Sequence, residues 1–267
     1  MMPNQRFAGS GRVFLSSRSS QSPSASLGLP LSVNVERIHK DPMSTEFASA
    51  GSQRWLQIAV ARAPDLLDKS LRRARAIDED DSVEWKSPLQ ADGFVEYRDG
   101  EVLRHLGVEK LPNRSLAEFW PRRGPVRDAL GCSKKGRLLL VEAKAHIPEA
   151  ASPPSQASPK SLELIEASLA EARRYYAPKA KADWSRNLYQ YANRLAFQYL
   201  LSKVNGLNSS LVFLDFYNAE DVAGPETEAE WRGATRLIHA LLGLPADLTR
   251  HGVFHAYVDA KAVANAL

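Results

Sequence analysis

The chain has 267 residues, 44% of them hydrophobic and 25% charged, and a single cysteine. This is ordinary for one globular domain with extensions, and it excludes an internal disulfide framework or a cysteine-based zinc cluster, which points to a reducing compartment. No apolar stretch approaches the ~20 residues of a membrane span, so a cytoplasmic protein with no membrane partner is expected.

The net charge is +4, but its location matters. Residues 1–42 carry Arg6, Arg12, Arg18, Arg37 and Lys40 against Glu36 and Asp41, a surplus of +3 that leaves +1 for everything after them. This Ser-rich segment, with SSRSSQSPSAS at its centre, is expected to be a disordered tail. Its Arg-rich, acid-poor start is also the composition of a transit peptide, and a start of translation at Met43 is the plainer reading. The charge of the tail is therefore no evidence for a partner. Residues 43–267 are expected to form a single domain.

Along that domain, 52–76 carries Trp55, Ile58, Ala59, Leu66, Leu67 and Leu71 at helical spacing, broken at Pro64, and predicts two successive helices. IDEDDS (77–82) reads as a solvated link. GFVEYRDGE (93–101) alternates as a strand does and ends at an Asp-Gly turn. GPVRDALG (124–131) and GRLLLVEAKAH (136–146) are two strand candidates joined as a hairpin. A Pro- and Ser-rich loop follows at 148–160.

Ser161 is expected to cap a helix over 161–176, with Leu162, Ile165, Leu169 and Ala172 as its apolar stripe. Asp183 is expected to cap another over 184–204, with Leu188, Ala192, Leu195 and Tyr199 inward and Asn187, Gln190 and Arg194 on the solvated face. A strand at 210–218, a helix at 228–243 and a last strand at 252–260 complete the order. That order predicts an α/β fold, a mixed central β-sheet with helices on both sides.

The acid-x-Lys triplet occurs three times, at Glu142–Lys144, Glu84–Lys86 and Asp259–Lys261. Only the first ends a buried-looking strand, LLLVEAKAH, where Glu142 and Lys144 point to one side and Ala143 to the other. The other two read as surface charges. Asp128 lies on the preceding strand of the predicted hairpin, so the pairing brings two carboxylates together. Such a pair suits a hard cation such as Mg²⁺; a lysine beside it can serve a water or a phosphate.

GPVRDALG, LLLVEAKAH and a later helical YQYAN together resemble the PD-(D/E)XK phosphodiesterase superfamily, over about 45–220 of the chain. FWPRRGPVRDALG and LLLVEAKAHIPE resemble one subgroup of it. The resemblance implies a restriction-endonuclease-like core, with GFVEYRD, GPVRDAL and GRLLLVEAKAH as its three-strand meander. It implies a nuclease that cleaves phosphodiester bonds in nucleic acid, DNA ahead of RNA. Asp128 and Glu142 would hold Mg²⁺ or Mn²⁺, and Lys144 would serve the attacking water. Glu84 or Glu46 would be an accessory acid, and Gln190 and Tyr191 would approach from the helix. One departure is that Pro125 stands three residues before Asp128 instead of beside it.

His146 would extend the face of Glu142 and Lys144 toward a phosphate. His251 and His255, without a partnering carboxylate, read as structural. Arg122 and Arg123 in FWPRRGP could contact a nucleic-acid backbone. The competing expectation is a binding or scaffold module that keeps the nuclease fold without cleaving, in line with the nearly neutral domain. A hydrolase of other chemistry has little support, since no glycine-rich phosphate loop, His-Glu-x-x-His or Gly-x-Ser-x-Gly is present.

Overall fold

A computed structural model describes residues 45–267; the tail and the alternative start at Met43 lie outside the described residues. Two helices, α1 (Gly51–Arg62) and α2 (Pro64–Arg73), open the domain as the sequence predicts. Pro64 stands where a helix start needs no N–H, so it ends one helix and begins the next. The acidic link that follows is less solvated than expected. Asp81 is buried and accepts the N–H groups of Ser82 and Lys135, which ties the link to the hairpin turn.

The first strand is a correction. It is β1 (Val83–Ser87), the stretch holding Glu84 and Lys86, and not GFVEYRDGE. The latter pairs only through one bridge, Tyr97 to Arg127, because Asp99 takes a left-handed φ of 51° and α3 (Asp99–His105) starts there. A one-turn helix, α4 (Leu116–Phe119), is closed by a reciprocal Ser115–Glu118 cap.

Next come β2 (Ala129–Ser133) and β3 (Leu138–Lys144), the expected hairpin, with Asp128 just ahead of β2. The loop at 151–158 leads into α5 (Pro159–Tyr176), preceded by Ser158 instead of Ser161. α6 (Tyr189–Gln198) begins five residues later than predicted and runs into a π-helical turn at Tyr199–Val204. Asp183 accepts from the Ser185 N–H and hydroxyl, a local turn that competes with helix. β4 (Ser209–Tyr217), α7 (Glu228–Leu242), β5 (Val253–Asp259) and α8 (Ala260–Ala264) follow. The third triplet thus ends a strand and starts a helix, with Asp259 accepting the Lys261 N–H.

The sheet order is β1-β2-β3-β4-β5, antiparallel from β1 to β3 and parallel from β3 to β5. It is a mixed five-stranded sheet in an α/β fold. Alternation along each strand divides the core in two. Leu139, Val141 and Ala143 of β3 pack with α1 and α2, while Leu140 packs with α5 and α6. Phe213 of β4 and Val253 of β5 join the α5–α6 side. By the same parity Glu142, Lys144, Asp215 and His255 face α6. Three neighbouring strands therefore deliver polar side chains to one place.

Candidate functional site

Glu142 is the centre. It is 1% exposed, an expensive place for a carboxylate without partners. Its Oε1 accepts from Lys144 Nζ at 2.6 Å, and its Oε2 accepts from the Nε of Arg194 on α6. Arg194 also donates to Asn193 Oδ1 at 2.7 Å and to the Val126 carbonyl at 3.0 Å, so one guanidinium ties α6, β3 and the approach to β2. Burial would raise the Glu142 carboxyl, but Arg194 and Lys144 outweigh it and hold the group below the usual carboxylate range.

Asp128 has the opposite fate. Burial first, and then the nearby Glu142 charge, push its carboxyl up to about 7, against the pull of Lys144, Arg194 and the Ala143 N–H that it accepts at 2.8 Å. Lys144 is desolvated, which alone would lower it; Glu142 and Asp128 reverse that and raise it. It is therefore a fixed ammonium at neutral pH.

Two acids and a base escaped the sequence reading. Arg194 was placed on the solvated face of its helix, yet it is 3% exposed; the clue was a cation set among Ala192, Leu195 and Ala196. Glu96, in the segment read as a strand, has its carboxyl raised by burial and by Glu142, opposed by a hydrogen bond from Gln53. Asp215 interrupts the apolar run of β4 directly beside Lys144 in the parallel register. Burial raises it, with His255 opposing.

The remaining candidates separate. Tyr191 is stacked on Phe213 at 4.0 Å, and its hydroxyl lies 2.7 Å from His239 Nε2 and 3.2 Å from His255 Nε2. His255 Nδ1 stands 3.8 Å from Asp215 Oδ2, so this histidine does have a carboxylate neighbour, contrary to expectation. Gln190 is at the start of α6, held by its N–H to Ser152 Oγ. His146 is drawn aside to Glu149 at 2.6 Å, and Glu149 also accepts from Ser52. Glu84 is exposed, paired with Lys86 and opposite Cys132 at the other end of β2, which removes it from Asp128. Glu46 is exposed ahead of α1.

A groove of about 850 Å³ opens over Asp128 and Arg194, walled by Trp120, Arg122 and Arg123 on one side and the 152–158 loop on the other. The wall is fixed from below, because Asp99 accepts the Arg123 and Gly124 N–H groups. Gln190 also lines a chamber of about 30 Å³ behind Glu142 and Lys144, bounded by Tyr191, Asp215 and His255. The site thus has a wide groove in front and a small chamber behind.

Among the described residues, no group of three or more His, Cys, Asp or Glu side chains is gathered to hold a metal ion. The donor chemistry of Asp128 and Glu142 nonetheless fits Mg²⁺ in its common mode, one or two carboxylates with waters and substrate phosphate completing the shell. The Arg194 hydrogen bond on Glu142 is the departure from that mode. No helix among the described residues is long and apolar enough to cross a membrane. No protein-family model, curated protein sequence or solved structure matches this chain.

Proposed function

We propose that the protein is a Mg²⁺- or Mn²⁺-dependent nuclease of the PD-(D/E)XK kind, hydrolysing a phosphodiester bond of a nucleic-acid strand lying in the groove over Asp128. The observation that carries this reading is the buried Glu142–Lys144 pair at the open end of β3, with the Asp128 carboxyl delivered from the neighbouring strand.

Asp128 and Glu142 are the residues that would hold the cation, which supplies Lewis-acid neutralisation of a phosphate oxygen when bound. Lys144 remains protonated and donates toward negative charge growing on the phosphate. Arg194 positions Glu142. Arg122 and Arg123, exposed on the groove wall, neutralise flanking phosphates. In the overall step water adds to phosphorus, one ester P–O bond breaks, and the water's proton ends on the departing oxygen.

A second reading is favoured by one observation: Lys144 and Arg194 already engage both oxygens of Glu142. On that reading the chain binds nucleic acid without cutting it. One experiment separates the two. Single- and double-stranded DNA and RNA are incubated with the full chain and Mg²⁺ or Mn²⁺, and Mn²⁺ binding is followed by electron paramagnetic resonance. The nuclease reading expects cleavage, a loss of about 10²-fold or more in Lys144→Ala, and Mn²⁺ binding that Asp128→Asn abolishes. Absence of cleavage on every substrate, or full activity in Lys144→Ala, sinks it. Nucleic-acid binding without Mn²⁺ binding leaves the second reading.

A further inference from the structure

We propose that a second cleft, on the β5 side of the sheet and separate from the groove over Asp128, binds a phosphate group carried by a nucleotide or by the end of a nucleic-acid strand. The cleft is about 450 Å³ and lies between the end of α2, the face of α7 and the loop before β5. Its lining includes Arg73, Arg75, Arg232 and Arg236, with Thr235 and His255 deeper in. That volume suits a small ligand, and guanidinium is the side chain that meets phosphate with two parallel donors.

The four arginines are not equivalent. Arg73 and Arg232 are both held by the Glu228 carboxylate, and the Arg232 guanidinium lies 4.9 Å over the Tyr257 ring. Those two are oriented in advance. Arg75 and Arg236 make no ion pair among the described residues. Asp247 also lines the cleft; its Oδ1 accepts the Thr249 N–H at 2.8 Å, and Thr249 first, then the more distant charges of Arg250 and Arg75, hold its carboxyl below the usual range. Four guanidiniums thus face two carboxylates, Glu228 and Asp247, and the surplus of positive charge is concentrated in one concavity. An anion with two negative charges relieves it.

Arg75 adds a second sign of purpose. It ends α2 with a left-handed φ of 63°, its N–H on the Arg72 carbonyl and the Ala76 N–H on the Leu71 carbonyl. Glycine is the usual residue there. An arginine in that place directs a cation into the cleft at the cost of backbone ease.

His255 and Thr235 line both this cleft and the chamber behind Lys144. At about 30 Å³ the chamber has room for a water and not for a nucleotide. A ligand in the cleft is therefore not on its way to Glu142. The cleft stands as a site of its own, independent of the metal chemistry proposed above.

Calorimetric titration of the full chain tests this, with adenosine 5′-monophosphate, adenosine, and two single-stranded DNA oligonucleotides that differ only in a 5′-phosphate. Binding of the mononucleotide is expected to require its phosphate, and the 5′-phosphate is expected to add about tenfold to the affinity of an oligonucleotide that the groove also holds; both gains are expected to be lost in Arg75→Gly combined with Arg236→Gln and to survive Lys144→Ala. Glycine suits the backbone at 75 and residue 236 is exposed, so the double variant is expected to fold. Tight binding of the mononucleotide assigns the cleft to a nucleotide; a gain from the 5′-phosphate on the oligonucleotide with no binding of the mononucleotide assigns it to a strand end. Equal binding of adenosine and its monophosphate, no binding at millimolar ligand, or unchanged affinity in the double variant overturns the proposal. A protein that fails to cleave but binds the monophosphate through these arginines sinks the nuclease reading alone.

Discussion

Asp128 and His239 pull the pH dependence of folding in opposite directions. Asp128 is raised from 3.8 to about 7, by burial first and then by Glu142. The stability it contributes is full below its unfolded value and is lost as pH rises through 7. His239, 4% exposed, is lowered from 6.5 to about 4, by burial first and then by His255. The stability it contributes is full above its unfolded value and is lost as pH falls through 4. Each amounts to about 1–3 kcal/mol over the same window, allowing for the solvent that reaches Asp128. The two slopes offset one another. Replacing one residue should uncover the other: relative to the wild type, His239→Gln should lose stability from about pH 4.5 to about pH 7, and Asp128→Asn should gain it. Urea denaturation across that range measures both, and profiles parallel to the wild type for both variants would refute the assignment.

Among the elements, those with long apolar runs were legible and those resting on a few contacts were not. β3 and β4 announce themselves because each is flanked by strands and covered on both faces, so the sequence must be apolar almost throughout, and β5, though it ends the sheet, is buried along most of its length. β1 is an edge strand of five residues, with only Trp85 and Ser87 fully buried and a Glu84–Lys86 pair that looks like any surface. GFVEYRDGE has the better alternation, but a left-handed Asp99 ends it after a single bridge. What joins β1 to the sheet is the absence of a side chain: a Cβ on Gly131 would meet Val83 Cγ1 at 2.5 Å and the Trp85 ring at 3.5 Å. Gly131→Val should push β1 away from β2 and destabilise the fold by about 1–3 kcal/mol. Hydrogen exchange should show the loss in β1 amides while those of β3 stay protected. A variant as stable as the wild type would mean that β1 does not rest on that close approach, since glycine in a strand is otherwise a weakness.

At the scale of the whole molecule, the candidate site depends on parity and register, which one strand at a time cannot reveal. The placement of Asp128, Glu142 and Lys144 near one another was readable because a hairpin is a local object. Arg194, Asp215 and His255 were not, because they meet Glu142 and Tyr191 only through long-range packing of α6 and parallel pairing of β4 and β5. The charge of the domain has the same lesson. Its surplus of +1 is too small to hold nucleic acid by bulk attraction, so any affinity must come from cations gathered in particular places. Arg122 and Arg123 line the groove and Arg75 and Arg236 line the cleft, and none of the four makes an ion pair within 4 Å among the described residues. For a single strand each phosphate neutralised contributes about −0.7 to the slope of log affinity against log salt. A strand in the groove alone should give about −1.4, and one that also reaches the cleft about −2.8. Fluorescence anisotropy of a labelled single-stranded oligonucleotide on Lys144→Ala, from about 50 to about 200 mM salt, reads the slope directly. Adding Arg122→Gln and Arg123→Gln should flatten it by about 1.4. If the slope does not change, the strand does not lie along FWPRRGP, and the groove over Asp128 is not the path that nucleic acid takes.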